Sequence, residues 1–198
     1  MALPALAERL DAATFLACEV QQPDRHEFIA GEIFAMTGGR DAHNTISGNV
    51  FALLRTALRG SPCRTFIADM KLRVDAVDGF FYPDVLVTCD SRDKSPEADL
   101  AKRHPLLLVE VLSDSTAAYD RGLKFEYYQK LDSLQEYLVI EQNRPHADLF
   151  RRNAEGLWVL HPADRGDHVA LASLGLTLDM AEIYEDVAFT PPELPATA

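Results

Sequence analysis

Apolar positions along the chain follow two periods, and the switches between them predict the order of elements. From Asp41 to about Leu58, the residues Ile46, Val50, Leu53, Leu54, Ala57 and Leu58 recur at helical spacing, and Gly60, Ser61 and Pro62 end the run. A shorter amphipathic helix is expected from Asp11, its cap, to Val20. Glu27-Phe28-Ile29 and Glu32-Ile33-Phe34-Ala35-Met36, joined through Ala30-Gly31, read as a hairpin. Arg64 to Ala68, Met70 to Val74 and Phe80 to Val87 alternate as strands, with Val77-Asp78-Gly79 as a turn. Two runs, Tyr82 to Val87 and Leu106 to Leu112, are apolar on both alternating faces, as expected of strands covered on both sides.

Beyond Ser113-Asp114-Ser115-Thr116, a helix from about Asp120 to Leu131 is expected to pack through Leu123, Tyr127 and Leu131, and Glu136 to Glu141 reads as an apolar strand. Ala147 to Arg151, Leu157 to Leu160 and His168 to Ala172 form an antiparallel C-terminal extension broken by Asn153-Ala154-Glu155-Gly156. A short helix near Asp179 to Tyr184 and a proline-rich tail, 186–198, close the chain. Helix, strands, then strand-helix-strand around a mixed sheet predict an α/β (α+β) three-layer core.

Composition narrows the class. A chain of 198 residues with 47% apolar and 25% charged residues fits a single domain better than two. Met1 to Val20 contains Glu8, Asp11 and Glu19 and has neither a basic start nor a continuous apolar stretch, so no signal peptide or membrane span is expected, and the setting is read as cytoplasmic. Cys18, Cys63 and Cys89 are odd in number and lack CxxC or Cys/His spacing, which argues for reduced thiols over a disulfide framework or a structural zinc site. The net charge of −12 lowers the prior for a nucleic-acid surface. Charge is uneven, however: Arg40, Arg55, Arg59, Arg64, Lys71 and Arg73 make the region before Asp84 locally basic. The polar loop from Cys89 to His104 is expected to be exposed and mobile, a rim to any site.

The chemistry lies in the doubly apolar strands. Each carries one carboxylate, Asp84 and Glu110, and an isolated buried carboxylate costs several kcal/mol or more unless it is paired, hydrogen-bonded or bound to metal. With Lys124 on the following helix, the two acids suggest a site for a hard cation and a phosphate. Each also has a plainer reading. Asp84 can end a turn beside Pro83, Glu110 can form a buried salt bridge, and Lys124 can pair with Asp120 one helical turn earlier. Asp114, Asp120 and Glu126 read as capping or surface charges, and Trp158, Tyr127 and Tyr128 as packing.

The run HPLLLVEVLSDSTAAYDRGLKFEYYQKLDSLQEYLVIEQ, with YPDVLV and the earlier HEFIAGEIFAMTGGRDAHN, resembles the Uma-type family of putative restriction endonucleases, within the PD-(D/E)XK nuclease superfamily. The likeness covers about residues 11–185 and implies a restriction endonuclease-like mixed β-sheet flanked by helices. By that resemblance Asp84 matches the Asp of the PD motif and Glu110 the first acid of the second motif, and both would hold a Mg or Mn dication. Leu112 stands where the superfamily usually has lysine; the matching lysine is Lys124, fourteen residues after Glu110. Glu32 matches the acid of a Gly-Glu motif and would add a metal ligand, directly or through water. His43, in the first turn of the long helix, is implied as a phosphate contact or proton shuttle. The implied function is a metal-dependent endonuclease hydrolysing DNA. The rivals are a catalytically inactive nuclease-fold module kept for binding or dimerisation, and a small-molecule phosphoesterase. A homodimer is expected through Leu149, Trp158, Leu160, Val169 and Leu171, with nucleic acid and no membrane as partner.

Overall fold

The computed structural model describes residues 10–36, 38–98 and 100–189. Helix α1 (Ala12–Glu19) starts at Asp11, whose carboxylate accepts from the Thr14 N–H at 2.8 Å and satisfies a donor of the open first turn. The hairpin β1 (His26–Ile29) and β2 (Glu32–Ala35) turns through Ala30 and Gly31, both at positive φ. Helix α2 (Asp41–Ala57) follows, then β3 (Arg64–Ile67), β4 (Lys71–Val74), β5 (Gly79–Phe81) and β6 (Val85–Thr88). The single strand expected over 80–87 is thus two. Pro83 lacks an N–H for a ladder, and at Tyr82-Pro83-Asp84 the chain passes from one sheet to another.

Strands β7 (Ala101–Lys102) and β8 (Leu107–Leu112) lead into one helical stretch. It comprises α3 (Ala117–Tyr119), a π-helical turn over Asp120–Lys124, and α4 (Phe125–Tyr128). Strands β9 (Glu136–Glu141), β10 (His146–Arg152) and β11 (Trp158–Asp164), the hairpin β12 (His168–Leu171) and β13 (Leu176–Asp179), and α5 (Met180–Ile183) complete the described chain.

A six-stranded mixed sheet, ordered β11-β10-β9-β8-β6-β3, forms the centre, with β8 and β9 its parallel pair. Because β6, β8 and β9 are apolar on both faces, each face can be covered. Val85, Val87, Val109, Val111, Leu138 and Ile140 pack under Ile46, Val50 and Leu54 of α2. On the other side, Leu86, Leu108, Tyr137 and Val139 meet Phe125 and Tyr128 of α4 and Leu72 and Phe81 of a second sheet. That five-stranded sheet, ordered β2-β1-β5-β4-β7, buries Phe28 and Phe80 against Phe15 of α1. The fold is therefore a mixed α/β architecture with mixed sheets flanked by helices, as expected. No helix among the described residues is long and apolar enough to cross a membrane.

Several local expectations are corrected. Cys63 and Cys89 are joined by a disulfide, and Cys18 alone is free and buried. The reason is register: β3 and β6 pair Arg64 with Thr88, so the two cysteines face each other one step further on. The 89–104 loop is not simply an exposed rim, because buried Asp93 accepts from the Arg103 and His104 N–H groups, each at 2.9 Å. On the 117–128 helix Leu123 is exposed, and the inward stripe is Asp120, Lys124, Phe125 and Tyr128. Counting apolar residues misplaces a stripe that begins with two ionisable side chains. Of the expected dimer surface, Leu149, Val169 and Leu171 belong to the core and Trp158 packs partly buried against the Phe125 cluster, whereas Leu160 is exposed on the edge strand β11, together with its neighbour Val159 and with Leu157 just before the strand. The tail expected over 186–198 lies outside the described residues from 190 onward.

Candidate active site

Asp84 and Glu110 lie on neighbouring strands at the end of the central sheet. Strands β6 and β8 are antiparallel with Val85 opposite Val109, so Asp84 and Glu110 occupy the next rung. Asp84 is fixed on both oxygens: Oδ2 accepts from the Val111 N–H at 2.7 Å, and Oδ1 lies 2.9 Å from His43 Nε2. His43 sits in the first turn of α2, on the far side of the sheet from the helix that carries Lys124. Burial disfavours the charged His43 ring, yet the hydrogen bond and charge of Asp84 outweigh it and raise the pKa above its ordinary value. His43 Nδ1 is buried without a hydrogen-bond partner; the Val111 backbone is near enough to favour the cation but not in bonding geometry.

Glu110 faces the opposite layer. Tyr128 donates to its Oε1 at 2.8 Å, and Lys124 Nζ stands 3.0 Å from the same atom. Lys124 also lies 3.0 Å from Glu27 Oε1 and 3.4 Å from Asp120 Oδ1, with its side chain only 6% exposed. The Glu27 contact is an ion pair without the directionality of a hydrogen bond, and Tyr119 donates to the other Glu27 oxygen at 3.1 Å. Burial pushes the Glu110 carboxyl well above its usual range; Lys124 opposes this, and Asp120 and Asp84 add to the rise. Burial acts against the Lys124 ammonium, but Glu110 and its neighbours hold its pKa well above the ordinary value. Lys124 is therefore a buried cation among carboxylates. Its place in the π-helical turn fits the tendency of such turns to occur at functional sites.

The geometry brings together Asp84 with His43, and Glu110 with Lys124. Glu32 is exposed near the β1–β2 turn, on the same face as Glu27 because it pairs with Ile29. Glu27, which sequence reasoning missed, is the hairpin acid that reaches Lys124. Both acids sit in similar apolar contexts, but β1 lies between β2 and β5 whereas β2 is an edge, so only Glu27 is buried. Strand order was the missing signal. Tyr128 was likewise read as packing alone.

A cleft of about 400 Å³ opens beside His43 and Asp84, walled by Arg25, Met36, Gly38, Gly39, Asn44 and Tyr82 among others. A Cβ on Gly39 would lie 2.5 Å from His43 Cδ2, so this position must remain glycine for the ring to sit where it does. Among the described residues no three His, Cys, Asp or Glu side chains form a ready metal cage. Asp84 and Glu110 still fit a dication as a pair, since a carboxylate has about four lone-pair sites and each uses two here.

The chain thus has a mixed α/β fold, with two acids on neighbouring strand ends and a buried lysine from the next helix. A solved structure described as a putative nuclease belonging to DUF820, from Anabaena variabilis ATCC 29413, superposes with a TM-score of 0.69 over 85% of this chain and 96% of its own, at 17% identity. The chain belongs to the Uma2 family, described as "Putative restriction endonuclease", whose model matches residues 12–181. Two Synechocystis sp. (strain ATCC 27184 / PCC 6803 / Kazusa) proteins are similar along most of their length. Uncharacterized protein slr1290 is 36% identical over 181 residues, covering 91% of this chain and 94% of its own. Uncharacterized protein sll1609 is 32% identical over 160 residues, covering 81% and 90%.

Proposed function

We propose that the chain is a metal-dependent phosphodiesterase of the nuclease type, hydrolysing DNA at a Mg or Mn dication held by Asp84 and Glu110. The observation that carries this reading is a charge imbalance: Glu27, Glu110 and Asp120 share the one ammonium of Lys124, and Asp84 stands across from Glu110 on the neighbouring strand. Uncompensated buried anions cost several kcal/mol each, and a dication beside Asp84 would compensate them. Mg²⁺ is commonly held by one or two carboxylates, with water and phosphate oxygens completing its shell. When bound, the dication supplies Lewis acidity toward the phosphate and a water of lowered pKa.

The chain's own groups orient and neutralise. His43 and the Val111 N–H hold Asp84 in one orientation, and Tyr128 does the same for Glu110. Lys124 offsets negative charge that develops on the phosphate in the transition state. His43, in the cleft wall, is placed to contact phosphate or carry a proton. Glu32, exposed near the hairpin turn, would add a ligand directly or through water. A twofold homodimer, pairing two sites for the two strands of a duplex, would use the exposed β11 edge.

Nicking of supercoiled plasmid in Mg²⁺ or Mn²⁺, abolished by chelator and by Asp84→Asn or Glu110→Gln, is the expected result. No cleavage of plasmid, single-stranded DNA or RNA in either metal overturns it. That outcome would favour a non-catalytic nuclease-fold module, for which the full engagement of Lys124 by three carboxylates is the supporting observation.

A further inference from the structure

Two exposed apolar side chains lie at the cleft side of the hairpin, one on the edge strand β2 and one just beyond it. Phe34 and Met36 are 46% and 38% exposed. The β1–β2 register fixes which way they face. Glu27 pairs with Phe34, and the ladder continues with the Met36 N–H donating to the Arg25 carbonyl. Cross-strand partners share a face, so Phe34 and Met36 stand beside Glu27 and Arg25, on the side that carries Lys124. Ile33, one residue before Phe34, turns the other way and packs on Phe15, Phe28 and Phe80. Met36 itself walls the cleft with His43 and Asp84.

Resting on the nuclease reading, we propose that Phe34, supported by Met36, is a stacking platform for an unpaired base, so that the site takes single-stranded DNA in preference to duplex. Charge supports this occupant. Duplex binding draws most of its affinity from cations laid along phosphates, and this chain has 31 acidic against 19 basic residues. Arg25, the one arginine of the cleft wall among the described residues, is moreover paired with Asp69 at 3.1 Å. Base stacking on an aromatic ring needs no net charge and accepts any base. Phe34 stands two residues along the chain from Met36 of the cleft wall, and its ring is assigned to the nucleotide next to the scissile phosphate.

Fluorescence anisotropy with a labelled 15-mer, as single strand and as duplex, in calcium, tests the proposal without cleavage. Wild type should bind the single strand more tightly. Phe34→Ala should weaken single-strand binding by about fivefold to 150-fold, the loss expected for one stacked base, with less than about twofold change on duplex. Phe34→Trp should restore binding. Because Phe34 is exposed, both variants should keep the wild-type melting profile. Equal affinity for the two forms, or a Phe34→Ala variant that binds the single strand unchanged, overturns the platform while leaving nicking by the Asp84–Glu110 site to stand or fall separately. A Phe34→Ala variant that alters only the oligomeric state would show instead that a second copy of the chain covers this edge.

Discussion

Lys124 Nζ lies 3.0 Å from Glu110 Oε1, although fourteen residues and a change from strand to helix separate the two. The 117–128 helix runs back over the end of β8, and the lysine needs only its own length to reach the acid. A displaced lysine can thus occupy the neighbourhood that a lysine two residues after the acid would reach from the strand itself.

Lys124→Met keeps the volume and removes the charge. It leaves Glu27, Glu110 and Asp120 buried together, so a loss of about 3–5 kcal/mol is expected. Chemical denaturation of the metal-free protein measures it. Cleavage should fall by at least about 10²-fold, because the ammonium acts mainly in the transition state. Lys130→Ala, at an exposed position, should alter neither; equal losses there would refute the assignment.

The fold was more legible than the site. The doubly apolar strands announced their own burial, and Asp84 and Glu110 stood out because an anion in such a run needs a partner. What could not be read was strand order. Glu27 and Glu32 lie five residues apart in one hairpin, and only the placement of β1 between two neighbours buries one and exposes the other. The Cys63–Cys89 disulfide was hidden for the same reason, since it depends on β3 pairing with β6. Leu123 misled because the helix turns the ionisable residues Asp120 and Lys124 inward, toward other such groups, against the rule that hydrophobic periodicity follows.

His43 should titrate above its ordinary value of 6.5 in the metal-free protein, because the Asp84 contact outweighs burial. The sign follows from linkage: a raised folded-state pKa contributes stability that is fully present below about pH 6.5 and is lost as pH rises through the raised value. A dication sharing Asp84 disfavours the imidazolium, so calcium should lower the value. Histidine nitrogen NMR over a pH series, with and without calcium, reports both effects. A pKa unmoved at saturating calcium would place the ion away from Asp84.

Gly39→Ala should displace the His43 ring, since the new Cβ would lie 2.5 Å from Cδ2 and 3.1 Å from Cγ. Overpacking of this kind costs about 1–3 kcal/mol, and misplacing a positioned group by about 1 Å can cost about 10²-fold in rate. Gly48→Ala is the control. Gly48 lies inside α2 with nothing within 4 Å of its would-be Cβ, so alanine there should stabilise by about 0.5–1 kcal/mol. Thermal melts and nicking rates of the two variants separate the cases.

Anomalous diffraction from crystals soaked in manganese tests the central claim most directly. One peak between Asp84 and Glu110, within about 2.0–2.6 Å of a carboxylate oxygen from each, is the result expected, and it should vanish in Glu110→Gln crystals. A peak elsewhere, or none at a concentration that supports nicking, with Asp84 still bound to His43 and Glu110 still bound to Lys124, would contradict it.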